Sequence, residues 1–330
     1  MLPVAHHRRA GMSLVELLVV VAILGLLAVT VLPALSTSAD ARRTREAARI
    51  VSSYIAKAQS RAIGRTEWSG FWLTTPISNP SANFSMDLFL ADVPSVYRGD
   101  STTTTVTGSP SGSVFIITSG SLTGTVSGTS GDLVRFDGQP PWFAYHNATT
   151  IELRNGSGSS ENVNQTLLNT PWPAANTPHR FEILRQPIRA GSPLTIADGR
   201  GIDLSWSGFG GSNLATYSTF GASPGSVAVL FDGTGRLRQL FFNSNRVSIS
   251  GPVFLLVGRT DRAGNSAAVL SATDDSVGAN WQYSDSFWIA IDPLSGVAKT
   301  AECMPQAGLA TDDVFSSQSF IRSEIVAGGR

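Results

Sequence analysis

The 330 residues carry 24 basic and 24 acidic side chains, so the formal charge is zero. Nucleic-acid binders usually concentrate a basic excess on one face; this balance argues against nucleic acid as the main partner and leaves only a local patch open. An apolar share of 42% suffices for a large core, and the single cysteine, Cys303, rules out an intramolecular disulfide.

In chain order, Arg8, Arg9, Ala10, Gly11, Met12, Ser13, Leu14, Val15 and Glu16 lead into an uncharged stretch from Leu17 to Leu35. Roughly 19 apolar residues are long enough for a membrane helix. Glu16 is the anomaly at its head, because a carboxylate within a bilayer costs about 2.5–3.5 kcal/mol and calls for a partner. Pro33 removes a backbone hydrogen bond, which predicts a bend or local melting. A secretory signal would place its small-residue cleavage site after the apolar core, as Ser36 to Ala41 imitate, whereas Gly11 precedes it.

From Leu14 to Ile63 the pattern predicts one helix, apolar all round at first and amphipathic afterwards. About fifty residues at 1.5 Å each make a rod of roughly 75 Å, too long to lie within a bilayer. Ala47, Val51, Tyr54, Ala58 and Ala62 form the expected buried stripe, widened by Ile50 and Ile55. Arg43, Glu46, Arg49, Ser53, Lys57, Ser60 and Arg61 take the other face, and Gly64 is a natural stop.

Beyond Gly64, strands are predicted at Phe71 to Leu73, Val114 to Ile117, Phe181 to Leu184, Val227 to Phe231, Leu237 to Phe242, Val253 to Val257 and Phe287 to Ile291. Asp232 to Gly235 and Asp137 with Gly138 read as tight hairpin turns. Ser, Thr and Gly dominate residues 99–131, and residues 155–164 are similar, so both read as exposed insertions at the outer edge of a sheet. A long helix laid on an antiparallel sheet is an α+β layer architecture.

Catalytic material is thin. His146 and His179 are far apart in sequence and form no metal-binding pair at close spacing. Gly221 to Gly225 matches G-x-S-x-G, but a strand rather than a helix follows it. Asp261 to Asn265 and Asp274 with Asp275 are oxygen-rich without the spacing of a calcium loop. Trp142, Trp172 and Trp206 stand near Pro or Gly, where rings serve either packing or an exposed ligand surface. Cys303 reads as a buried apolar side chain.

The segment from Arg8 to Leu35 resembles the leader of type IV pilins and type II secretion pseudopilins, with Met12 where that family most often has Phe. Residues 47–64, 229–236 and 288–297 resemble, more narrowly, the GspH/FimT group of minor pseudopilins and minor pilins. The resemblance implies a pilin-like α+β fold in four parts. These are a leader at 1–11, a transmembrane assembly helix at 12–35, its amphipathic continuation at 36–64, and a periplasmic β-rich domain at 65–330.

The resemblance also implies processing and partners. A prepilin peptidase cuts between Gly11 and Met12 and methylates the new amino group. Glu16 then meets that amino group of another subunit, and the region of Pro33 loosens on assembly. The implied partners are the peptidase, other pilin or pseudopilin subunits, the inner-membrane assembly platform and membrane lipid, with no catalytic residue, cofactor or metal. The chain would sit in the inner membrane as a single-pass protein, amino terminus in the cytoplasm, working as a structural subunit. A ligand-binding tip subunit, an adhesin or DNA-uptake component using Arg180, Arg185 and Arg189, is the alternative.

Overall fold

The computed structural model describes residues 14–76, 78–79, 81–101, 103–120, 122, 132–153, 172–196, 199–221, 225–242, 245–249, 251–271 and 274–328, without the side chains of 27–39, 143, 153, 245, 327 and 328. The fold is α+β, and it divides after Arg43 into two units that helix α1 (Leu14–Ala62) enters in turn. The expected span at 17–35 lies partly among residues whose side chains are not described. Among the described residues, no helix is long and apolar enough to cross a membrane.

From Thr44 onward α1 follows its amphipathic pattern. Ala47, Ala48, Val51, Tyr54, Ile55, Ala58 and Ala62 are buried, while Glu46, Arg49, Ser53, Lys57, Ser60 and Arg61 are exposed. The helix ends at Ala62, and Gly64 takes the left-handed conformation (φ +80°) that lets the chain turn away cheaply.

The buried stripe shares one core with the inner faces of two antiparallel sheets. The first has the order β10 (Ile188–Thr195), β3 (Asp87–Asp92), β1 (Ser69–Thr74), β13 (Ser226–Phe231), β14 (Leu237–Phe242) and β15 (Asn245–Val247). Alternation sends Phe71, Leu73, Leu88, Leu90, Val227 and Val229 into the core. Gly70 is required on β1, because a Cβ there would lie 1.8 Å from the Val229 carbonyl oxygen.

The second sheet runs β12 (Tyr217–Thr219), β11 (Arg200–Gly210), β16 (Val253–Arg259), β17 (Phe287–Ile291) and β18 (Ala298–Glu302), with the short β2 (Phe84–Ser85) also paired to β11. Its outer face, Phe254, Leu256, Trp288 and Ala290, is covered by α2 (Asp313–Ser317) and α3 (Ser319–Gly328) through Val314 and Ile321. Cys303 is buried in that layer, and burial pushes its thiol well above the ordinary range, leaving it an apolar filler.

The third sheet fills residues left open by the sequence pattern. It orders β4 (Thr107–Ser111), β5 (Val114–Ser119), β8 (Thr150–Leu153), β7 (Trp142–His146), β6 (Leu133–Phe136) and β9 (Phe181–Leu184). Its core is its own, built from Phe115, Ile117, Val134, Phe136, Ile151 and Phe181. Within the Ser/Thr/Gly-rich stretch the predicted strand at Val114 to Ile117 pairs with β4, and Phe115 and Ile117 supply two inward side chains within a polar sequence. The chain leaves the first sheet after Asp92 and re-enters at Ile188, which pairs with Asp92. The intervening segment therefore hangs from the two outermost strands at one edge of the sheet.

That root is pinned. Arg246 of β15 donates from Nη2 to the carbonyls of Leu184 (3.1 Å) and Arg185 (3.3 Å), and burial lowers its pKa to about 10. Asp132 accepts the Gln186 N–H at 2.9 Å and pairs with His146 at 2.9 Å, both side chains buried.

Candidate functional site

Glu16 lies in the first turn of α1, where unpaired N–H groups and the helix dipole favour a negative charge by about 0.3–1 kcal/mol. Around it the large apolar side chains from Leu14 to Leu26 stand exposed, Leu14 at 80% and Leu26 at 71%. A contiguous apolar surface of this kind marks contact with lipid or another protein. Gly11 and Met12, the expected processing residues, lie outside the described residues, as does the side chain of Pro33. The backbone of Pro33 lies inside α1.

The far end of α1 is fastened to both core sheets. Gln59 Nε2 donates to the carbonyls of Gly235 (2.9 Å) and Ser295 (2.8 Å), residues in the β13–β14 and β17–β18 turns. Gly235 and Gly296 both have positive φ, and a Cβ on Gly296 would lie 1.9 Å from the Gly235 oxygen. Asp232 holds the first turn by accepting from the N–H groups of Thr234 (2.9 Å) and Arg236 (3.1 Å), bonds that lower its pKa against desolvation. Asp92 accepts from Arg61 at 2.6 Å and Arg65 at 3.2 Å, and chiefly the Arg61 bond keeps its carboxyl below the usual range.

The other residues singled out in the sequence fall in separate places. His146 is buried against Asp132, while His179 contacts Asp137 (2.6 Å), Thr177 and the Ala174 carbonyl (2.9 Å). These contacts hold His179 within the turn that joins it to Asp137 and Ala174. Residues 222–224 of the G-x-S-x-G match lie outside the described residues, and β13 follows them. The oxygen-rich loops are tied up by arginines: Arg259 pairs with Asp261 (2.5 Å) and Asp275 (2.6 Å), and buried Arg262 with Asp285 (2.8 Å). Among the described residues no group of three or more His, Cys, Asp or Glu is placed to hold a metal.

Trp172 stacks on Phe115 at 5.5 Å and Trp206 meets Trp281 edge-on at 5.7 Å, so both are packing residues, and Trp142 is half-buried. Arg180 and Arg185 line one cavity; Arg189 lies elsewhere, over the rings of Trp72 and Phe89 at 5.4 Å.

Sequence reasoning missed Asp203. It is fully buried on β11, accepts from Asn280 Nδ2 at 3.0 Å and from the Ser205 N–H at 3.2 Å, and burial raises its carboxyl to about 7 against the pull of these donors. Nothing local distinguishes it, since the bulge between Asp203 and Gly208 and the distant Asn280 create its environment.

Residues 6–32 match the family described as "Prokaryotic N-terminal methylation motif". That motif is the type IV pilin signal, and the match supports the pilin and pseudopilin family, with a precursor processed by prepilin peptidase and other pilin subunits as partners. It suggests a membrane-anchored, export-related protein. No curated protein and no solved structure matches the chain.

Proposed function

We propose that the chain is a minor pilin or pseudopilin of the GspH/FimT kind, a structural subunit of a type II secretion pseudopilus or type IV pilus. The observation that carries the reading is the matched motif at residues 6–32, leading into a helix whose large side chains stand exposed from Leu14 to Leu26. In this reading prepilin peptidase removes residues 1–11 and methylates Met12. His6, His7, Arg8 and Arg9 stay in the cytoplasm, as short basic flanks do, and the β-rich domain lies in the periplasm.

Before assembly, lipid covers the exposed aliphatic side chains of α1. During assembly at the inner-membrane platform, helices of other subunits replace lipid, and the Glu16 carboxylate of one subunit neutralises the Met12 amino group of another. In a poorly solvating interior an unpaired charge is costly, so the pair fixes the register of neighbouring subunits. The role is mechanical and involves no catalytic residue or cofactor. Glu16→Leu tests it in the native host: the variant is expected to insert and be processed, yet to be missing from the sheared filament fraction. Normal incorporation of that variant would refute the role given to Glu16.

A further inference from the structure

The insertion carries a cavity of about 600 Å³, inside the 300–1,000 Å³ range of small-ligand sites. One wall is formed by Gly99, Asp100, Ser101 and Thr104, with the Ser101 N–H donating to Thr104 Oγ1 at 3.0 Å. A Cβ on Gly99 would strike Thr104 at 2.4 Å, so the wall is tightly fitted. The opposite wall is β9 with its flanking arginines, Arg180 and Arg185.

The acids of this cavity are committed. Glu182 receives Arg98 on Oε1 at 2.8 Å and Arg135 on Oε2, and Asp100 accepts the Tyr97 hydroxyl at 3.1 Å. Two cations are not. The exposed Arg180 guanidinium has no ion pair or hydrogen bond among the described residues; only its backbone is engaged, with Asp137. Arg185 lies over the Tyr97 ring at 5.8 Å, makes one long contact to the Ser95 carbonyl at 3.4 Å, and leaves its Nε without an acceptor. Three guanidiniums against two carboxylates leave one positive charge in the lining. Guanidinium forks favour oxyanions that present two oxygens to them, and the nearby Glu182 and Asp100 disfavour a dianion.

We propose that this cavity binds a singly charged acidic sugar, its oxyanion on Arg180 and Arg185 and its ring within the lining that Tyr97, Ser101 and Thr104 form. The charge comes from a uronic acid carboxylate or from a sulfate ester, which share this chemistry. The site is independent of filament assembly and would give the subunit an external ligand.

Calorimetric titration of the full chain in detergent tests this, with glucuronate, glucose 6-sulfate, neutral maltotriose and a single-stranded oligonucleotide as probes. Binding of glucuronate or glucose 6-sulfate at least tenfold tighter than of maltotriose is expected, and the tighter of the two identifies the source of the charge. Arg180→Ala should weaken that binding at least tenfold, and Arg180→Lys should restore part of it. Equal binding of maltotriose, preference for the oligonucleotide, binding of none of the four probes, or undiminished binding by Arg180→Ala would overturn the proposal.

Discussion

In α1 the residues from Leu14 to Leu26 carry large aliphatic side chains that stand exposed, whereas those from Ala47 to Ala62 carry many small ones that are buried. Alanines let two sheets approach the helix axis closely, so this region is matched to one fixed partner within the same chain. Branched aliphatics exposed around the helix suit a fluid or exchangeable neighbour, which in the proposed role is lipid first and other helices afterwards. The apolar character is shared, and side-chain size and distribution separate the two roles.

Substitution of the same residue type in both regions is the sharpest way to break this contrast. Ile55→Ala, at a fully buried position, should cost about 2–5 kcal/mol in urea unfolding of the β-rich domain. Ile23→Ala, at a position 54% exposed, should leave that unfolding unchanged and weaken only retention with membranes or filaments. Similar losses in both variants would erase the distinction.

The sheet beneath the buried region gives the next largest effect. Asp203 has a folded-state value near 7 against the usual 3.8, so between these values the folded chain keeps a proton that the unfolded chain has lost. Its contribution is therefore full below about pH 4 and is lost as pH rises to 7, by on the order of 4 kcal/mol. Asp203→Asn should flatten that slope in unfolding free energy measured from pH 4 to 8.

Two smaller changes probe how the helix end is fastened. Gly296→Ala combines a positive φ with a close approach to the Gly235 carbonyl and should cost about 1–3 kcal/mol in thermal unfolding. Asp92→Asn removes the partly exposed clamp on Arg61 and Arg65 and should cost about 1 kcal/mol by the same measurement. A larger loss for Asp92→Asn than for Gly296→Ala would mean that ion pairs, not turn geometry, hold the helix end.

The helix was legible because its periodicity is local: Ala47, Val51, Tyr54, Ile55, Ala58 and Ala62 are buried, Ile50 is half-buried at the margin, and Gly64 marks the end. The seven predicted strands are present because each is a short apolar run between turn residues. β11, the longest strand, escaped notice because Gly201, Gly208 and Gly210 interrupt it and Asp203 and Ser207 are buried polar groups satisfied from afar. The insertion's sheet was only partly legible, since its Ser- and Thr-rich strands place few residues in the core and need partners such as Phe136 and Phe181, distant in sequence. The cavity between Tyr97 and Arg185 depends on the same long-range pairing, which spacing alone does not reveal.

The central claim is that the apolar beginning of α1 is a processed assembly segment. Its most direct test is mass spectrometry of the amino-terminal peptide after expression with a prepilin peptidase. A chain beginning at N-methylated Met12 is the expected result. A chain that keeps residues 1–11, or one that begins beyond Leu35, would contradict it.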